Sequence, residues 1–111
     1  MKNPIALTVV GMVMSLSARN GVAGDTATNW LHHCAPCHGK EGKGDTTIGK
    51  KLNVKNYHDA KVQAAFSDAE MERAIKEGVK TNGKETMKPF GNKLSDTDIK
   101  ALVAYIRSFK K

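Results

Sequence analysis

The sequence predicts an all-α domain, and three observations predict it. Ser67-Asp68-Ala69-Glu70 and Ser95-Asp96-Thr97-Asp98 both have the form of capping boxes, each opening a helix. After the second, Ile99, Leu102, Val103, Ile106 and Phe109 recur at the spacing of one helix face. Cys34-Ala35-Pro36-Cys37-His38 places two thiols three residues apart, with an imidazole directly after them. Residues three apart share a face of one helical turn. No repeat, low-complexity tract or convincing strand pattern is visible.

The chain has 111 residues, which predicts one domain. Its first stretch reads as a secretory signal, residues 1–24. Lys2 supplies a short positive region, Ile5 to Leu16 is mostly apolar, and Val22-Ala23-Gly24 offers small residues for cleavage. A second choice of cleavage lies at Ser15-Leu16-Ser17-Ala18. The sixteen uncharged residues from Asn3 to Ala18 are few for a membrane span. An uncleaved signal would act as an anchor. Either way, residues 25–111 would form the working domain in an exported compartment, where lone thiols do not stay reduced.

Asp25 or Thr26 can cap a first helix running towards Cys34, with Trp30 and Leu31 as its large apolar residues. His32 and His33 read as surface histidines. Residues 39–56 read as a loop rich in glycine and lysine, in which Ile48, Leu52, Val54 and Tyr57 are the large apolar residues in reach. Residues 59–65 suit a short helix or turn. A helix follows from Asp68 to Glu77, with Phe66 and Met71 as its hydrophobic staple and Gly78 as its C-cap. Residues 79–93 read as a second loop, in which Pro89 holds the preceding residue extended. In the last helix, Leu94 and Ile99 form the staple. Its acidic first turn and basic end, Arg107, Lys110 and Lys111, suit the helix dipole.

The pentapeptide carries the chemistry. Two thiols on one turn can reach the two vinyl groups of a haem, and the following imidazole can ligate its iron. Structural zinc needs four ligands. Beyond Cys34 and Cys37 the chain has only His32, His33, His38 and His58, without finger spacing. A thioredoxin-like dithiol belongs near a βαβ pattern, and none is visible. Simple oxidation of the two cysteines to a disulfide is the remaining alternative.

One covalent haem c therefore leads, with Ile48 and Leu52 placed against it. A loop carbonyl should accept the second N–H of His38 and fix its tautomer. For the sixth iron position the choice falls on Met87. Met71 already has a structural explanation in its staple, whereas Met87 sits in a polar, proline-ordered loop. His/Met ligation raises the reduction potential and fills the iron, which suits an electron carrier and not an enzyme. An open sixth position would instead suit a haem enzyme or gas sensor. A cofactor-free dithiol oxidoreductase is the third class.

The net charge is +7, falling to +5 without Lys2 and Arg19. That excess suggests partners with acidic docking surfaces. Lys50, Lys51, Lys84, Lys88 and Lys93 lie in the two loops expected to frame the haem edge. The lysines are dispersed, without an arginine-rich run, which argues against nucleic acid. Six aromatic side chains make a thin core that a haem would thicken.

Together, Cys34 to Gly39, the lysine- and glycine-rich loop, Met87-Lys88-Pro89-Phe90, Leu94-Ser95 and the run from Ala101 to Arg107 resemble small bacterial class I c-type cytochromes. The likeness covers nearly all of the chain after Gly24. It implies an all-α fold wrapped round one haem, with terminal helices crossing where Trp30 or Leu31 meets Tyr105 or Leu102. It also implies thioethers at Cys34 and Cys37, axial ligands His38 and Met87, and a monomeric periplasmic carrier serving larger respiratory or photosynthetic redox complexes. The family often takes a proline carbonyl for its axial histidine. This chain has Thr46-Thr47-Ile48 there instead.

Overall fold

The computed structural model describes residues 24–111. The signal segment expected over 1–24 lies outside them apart from Gly24. Asp25 caps α1 (Thr26–Asn29), accepting hydrogen bonds from the Thr28 backbone N–H and hydroxyl. The chain then widens into a π-helical turn (Trp30–Cys34) and tightens again as α2 (Ala35–His38). Such π turns interrupt the normal spacing and favour functional positions. Here the turn ends on the first cysteine of the pentapeptide.

The stretch expected as loop over 39–56 contains a short helix, α3 (Thr47–Lys51), and corrects that reading. Thr46 caps it, its hydroxyl accepting from Gly49 N. A further short helix, α4 (Ala60–Ala65), is capped by Asp59. Both longer helices, α5 (Asp68–Glu77) and α6 (Asp96–Arg107), begin with complete capping boxes.

Between them, the second expected loop holds a hairpin of β1 (Val79–Thr81) and β2 (Lys84–Met87). This overturns the reading of no strand. Asn82 and Gly83 join the strands, both with positive φ, as a two-residue hairpin turn of the I′ kind requires. The register pairs Val79 with Met87 and Lys80 with Glu85, so Thr86 bulges. Both strands are mostly exposed, and the residues alternate too weakly in polarity to announce themselves.

The core is built on α6. Ile99, Leu102, Val103 and Ile106 are buried with Met71, Ile75, Phe90, Leu94 and Trp30. Trp30 meets Tyr105 at 5.8 Å and Phe109 at 5.1 Å between ring centroids, so Trp30 and not Leu31 makes the terminal-helix contact. Leu31 stays 49% exposed, because the turn directs it outward. Met71 is buried in the core, while its expected staple partner Phe66 is 40% exposed and is not among the residues packed against that core.

A polar bracket closes the far end. The buried Gln63 amide donates to Tyr57 O at 2.7 Å and Ile106 O at 2.9 Å. Arg107 reaches Asp68 Oδ1, Gln63 O and Phe66 O. The bracket joins α4 and α5 to the end of α6 and fixes Tyr57.

Candidate haem-binding site

The pentapeptide spans the end of the π turn and α2. Cys34 is buried, and Cys37 and His38 are partly so. Both cysteines are free thiols. Burial, and the nearby Cys37, push the Cys34 thiol up to about 12. That keeps it protonated, unlike the low-pKa thiolate that dithiol oxidoreductases use. Among the described residues, no three His, Cys, Asp or Glu side chains gather into a metal-holding group.

The His38 ring meets two aromatics. Tyr57 stacks on it at 5.6 Å and 28°, and Trp30 meets it at 5.8 Å and 40°. The sequence did not mark either ring as a site residue. In the sequence, Trp30 is a large apolar residue of the first helix and Tyr57 an apolar residue within reach of the loop. Trp30 Nε1 donates to Gly39 O at 3.0 Å and Lys40 O at 3.1 Å, which ties the chain just after the pentapeptide to the core. Tyr57 N donates to Gly42 O at 2.8 Å, tying the loop to the same ring.

Enclosure lowers the His38 pKa, so its imidazole is neutral and keeps a lone pair for a metal. Tyr57 is raised, chiefly by burial, so its phenol stays protonated.

The expected loop carbonyl on His38 is not found. Nδ1 is buried and has no hydrogen-bond partner. The reason is α3. The Thr46 and Ile48 carbonyls accept from Lys50 N and Leu52 N inside that helix, and the Gly49 carbonyl accepts from Val54 N. The helix packs against the pentapeptide from its other side: Thr46 Oγ1 donates to Cys37 O at 2.7 Å. A Cβ on Gly49 would run into Cys37 O and Gly44 O, so only glycine permits this approach.

Ile48 and Leu52 stand 49% and 38% exposed on and just beyond α3. Met87 ends β2, partly buried against the core, whereas Met71 is fully part of it. Gly78 sets the position of Met87. A Cβ there would come within 2.6 Å of Met87 O and 2.9 Å of Pro89 N, and its φ of +79° also needs glycine.

These residues fit a haem. An enclosed, neutral imidazole, two thiols on the same turn and exposed aliphatic side chains on the adjoining α3 fit a covalent porphyrin, with iron on the imidazole nitrogen other than Nδ1.

The fold and site together define a small mono-haem c-type cytochrome. Residues 22–106 match the family model described as cytochrome c oxidase, cbb3-type, subunit III, and the chain belongs to that family. Among solved structures it is similar to the KustC0563 c-type cytochrome, with 39% identity and a TM-score of 0.70, over 79% of this chain and 100% of that one. A tyrosine-to-phenylalanine mutant of Kustc0563 gives 38% identity and a TM-score of 0.67, over 78% and 100%. No curated protein matches.

Proposed function

We propose that the protein is an exported, diffusible one-electron carrier. Its haem would be joined by thioethers to Cys34 and Cys37 and ligated by His38 and Met87. The observation that carries this reading is the neutral, enclosed His38 imidazole on the same turn as both thiols. When bound, the haem supplies an iron that gains and loses one electron.

The chain's own residues do the rest. Cys34 and Cys37 anchor the group, and the Trp30 and Tyr57 rings pack on the His38 ring. The hairpin presents the Met87 thioether, a soft donor that favours the reduced metal and raises the potential. Ile48 and Leu52 exclude water. The exposed lysines 50, 51, 84, 88 and 93 steer the molecule onto an acidic partner.

The test is the oxidised spectrum of the native protein and of Met87→Ala. The native protein should show a far-red thioether-to-ferric-iron charge-transfer band, and the variant should lose it. A native protein without that band, or one whose reduced form rapidly binds carbon monoxide at neutral pH, is instead a haem enzyme or gas sensor with an open sixth position. Transfer rates to an acidic partner should fall as salt rises, since screening acts over about 8–10 Å at ordinary ionic strength. A flat salt profile removes the steering role.

A further inference from the structure

Asp98 is the third residue of α6 and closes its capping box. Its Oδ2 accepts from Ser95 N at 3.1 Å. Its Oδ1 accepts from Gly24 N at 2.8 Å, seventy-four residues away in sequence. The neighbouring acidic residue of that turn, Asp96, has a cationic side chain on it, Lys76 Nζ at 3.1 Å. Among the described residues, Asp98 has none, and backbone nitrogens take both of its oxygens. Those two nitrogens hold its carboxyl below the ordinary 3.8, Gly24 being the larger cause.

A carboxylate aimed at Gly24 N is a fitting seat for a free α-ammonium. Small residues precede Gly24 at the two positions a signal peptidase reads: Gly21, third before the bond, and Ala23, directly before it. Cleavage after Gly24, the boundary read from the sequence, would discard the very donor that Asp98 holds. The geometry points to processing between Ala23 and Gly24, with the new Gly24 α-ammonium clasped by Asp98. This rests on the export reading of the preceding subsection.

The step is a hydrolysis. Water adds across the Ala23–Gly24 amide, Ala23 leaves with the carboxylate, and Gly24 keeps the amine, which is protonated near neutral pH. In the precursor, Gly24 offers Asp98 one amide N–H. In the mature chain it offers a charged donor, and charge-assisted hydrogen bonds are stronger than neutral ones. Removing the signal therefore tightens the junction of α1 with α6, next to the contact of Trp30 in the following π turn with Tyr105 of α6.

The full 111-residue chain, expressed with haem in a host that exports and matures cytochromes, is recovered from the periplasm, and its N-terminus is read by mass and sequencing. A start at Gly24 is expected. An exported chain starting at Asp25 or elsewhere overturns this inference alone. A cytoplasmic chain that keeps Met1 overturns export with it.

A double-mutant cycle then tests the clasp on the haem-loaded protein. One variant adds an alanine between Ala23 and Gly24, displacing the amine by one residue. The other is Asp98→Asn, which keeps the hydrogen-bond acceptor and removes the charge. The insertion should raise the unfolding constant about two- to fivefold with Asp98 present, the range of an exposed ion pair, and leave it unchanged with asparagine. Equal effects in both backgrounds would show that no such pair exists.

Discussion

Leu102 on α6 has no surface left in water, whereas Ile48 on α3 keeps 49% of its own. The contrast extends to polar groups. Around Leu102, the Gln63 amide is buried and fully bonded. Around the pentapeptide, His38 Nδ1 is buried with no partner. The packing around Leu102 is complete with protein atoms alone. The surroundings of the pentapeptide expose aliphatic side chains and strand a ring nitrogen. A flat, apolar, metal-bearing group held by the two thiols would cover those aliphatic side chains and add apolar mass to a lean core.

The largest effects should come from removing the covalent anchors. In Cys34→Ala with Cys37→Ala, acid–acetone extraction should strip any haem from the protein, whereas the native protein should retain it. On the complete side, Leu102→Ala should destabilise the haem-loaded protein by about 2–5 kcal/mol in denaturant unfolding, as buried leucines do. Arg107→Ala should lower it by about 2 kcal/mol, because it leaves several carbonyls of the bracket without their charged donor.

A sharper comparison uses Ile48→Ser and Leu52→Ser. If these side chains met only water, each change would stay within about 0.5 kcal/mol. Under a haem, each should destabilise by about 1.5–3 kcal/mol. Values near zero in the loaded protein would take Ile48 and Leu52 out of the site.

Smaller effects belong to the exposed caps. The Glu70 carboxyl is lowered by its bonds to Ser67, and that of Asp98 by Gly24 and Ser95. Both therefore stabilise the fold above their unfolded values, near pH 4, and that contribution is lost as pH falls through the lower folded values. Between pH 5 and 3, Glu70→Gln and Asp98→Asn should each flatten the fall in unfolding midpoint. Lys100→Ala, which breaks a solvated pair with Glu72, should leave stability unchanged.

Local rules made the longer helices legible. Ser67 with Glu70 and Ser95 with Asp98 announce their own starts, and the spacing from Ile99 to Ile106 gives the buried face. The pentapeptide is legible for a chemical reason, since so few groups use two thiols and an imidazole on one turn. Other features depend on distant neighbours. Nothing in Trp30–Cys34 marks a π turn, and the contacts of Trp30 and Tyr57 with His38 join residues 8 and 19 positions away from it, which no local pattern announces. The hairpin had a signal, Asn82-Gly83, but its strands bury almost nothing and lack an alternating pattern. No carbonyl reaches His38 Nδ1, and the Thr46, Ile48 and Gly49 carbonyls are taken up within and just after α3, a helix short enough to hide among the glycines and lysines.

The most direct measurement is the visible spectrum of the protein, made in a host competent for cytochrome maturation and taken after acid–acetone extraction. The structure predicts that the polypeptide stays coloured, with one haem held through Cys34 and Cys37. A colourless polypeptide that nonetheless folds would contradict the central claim.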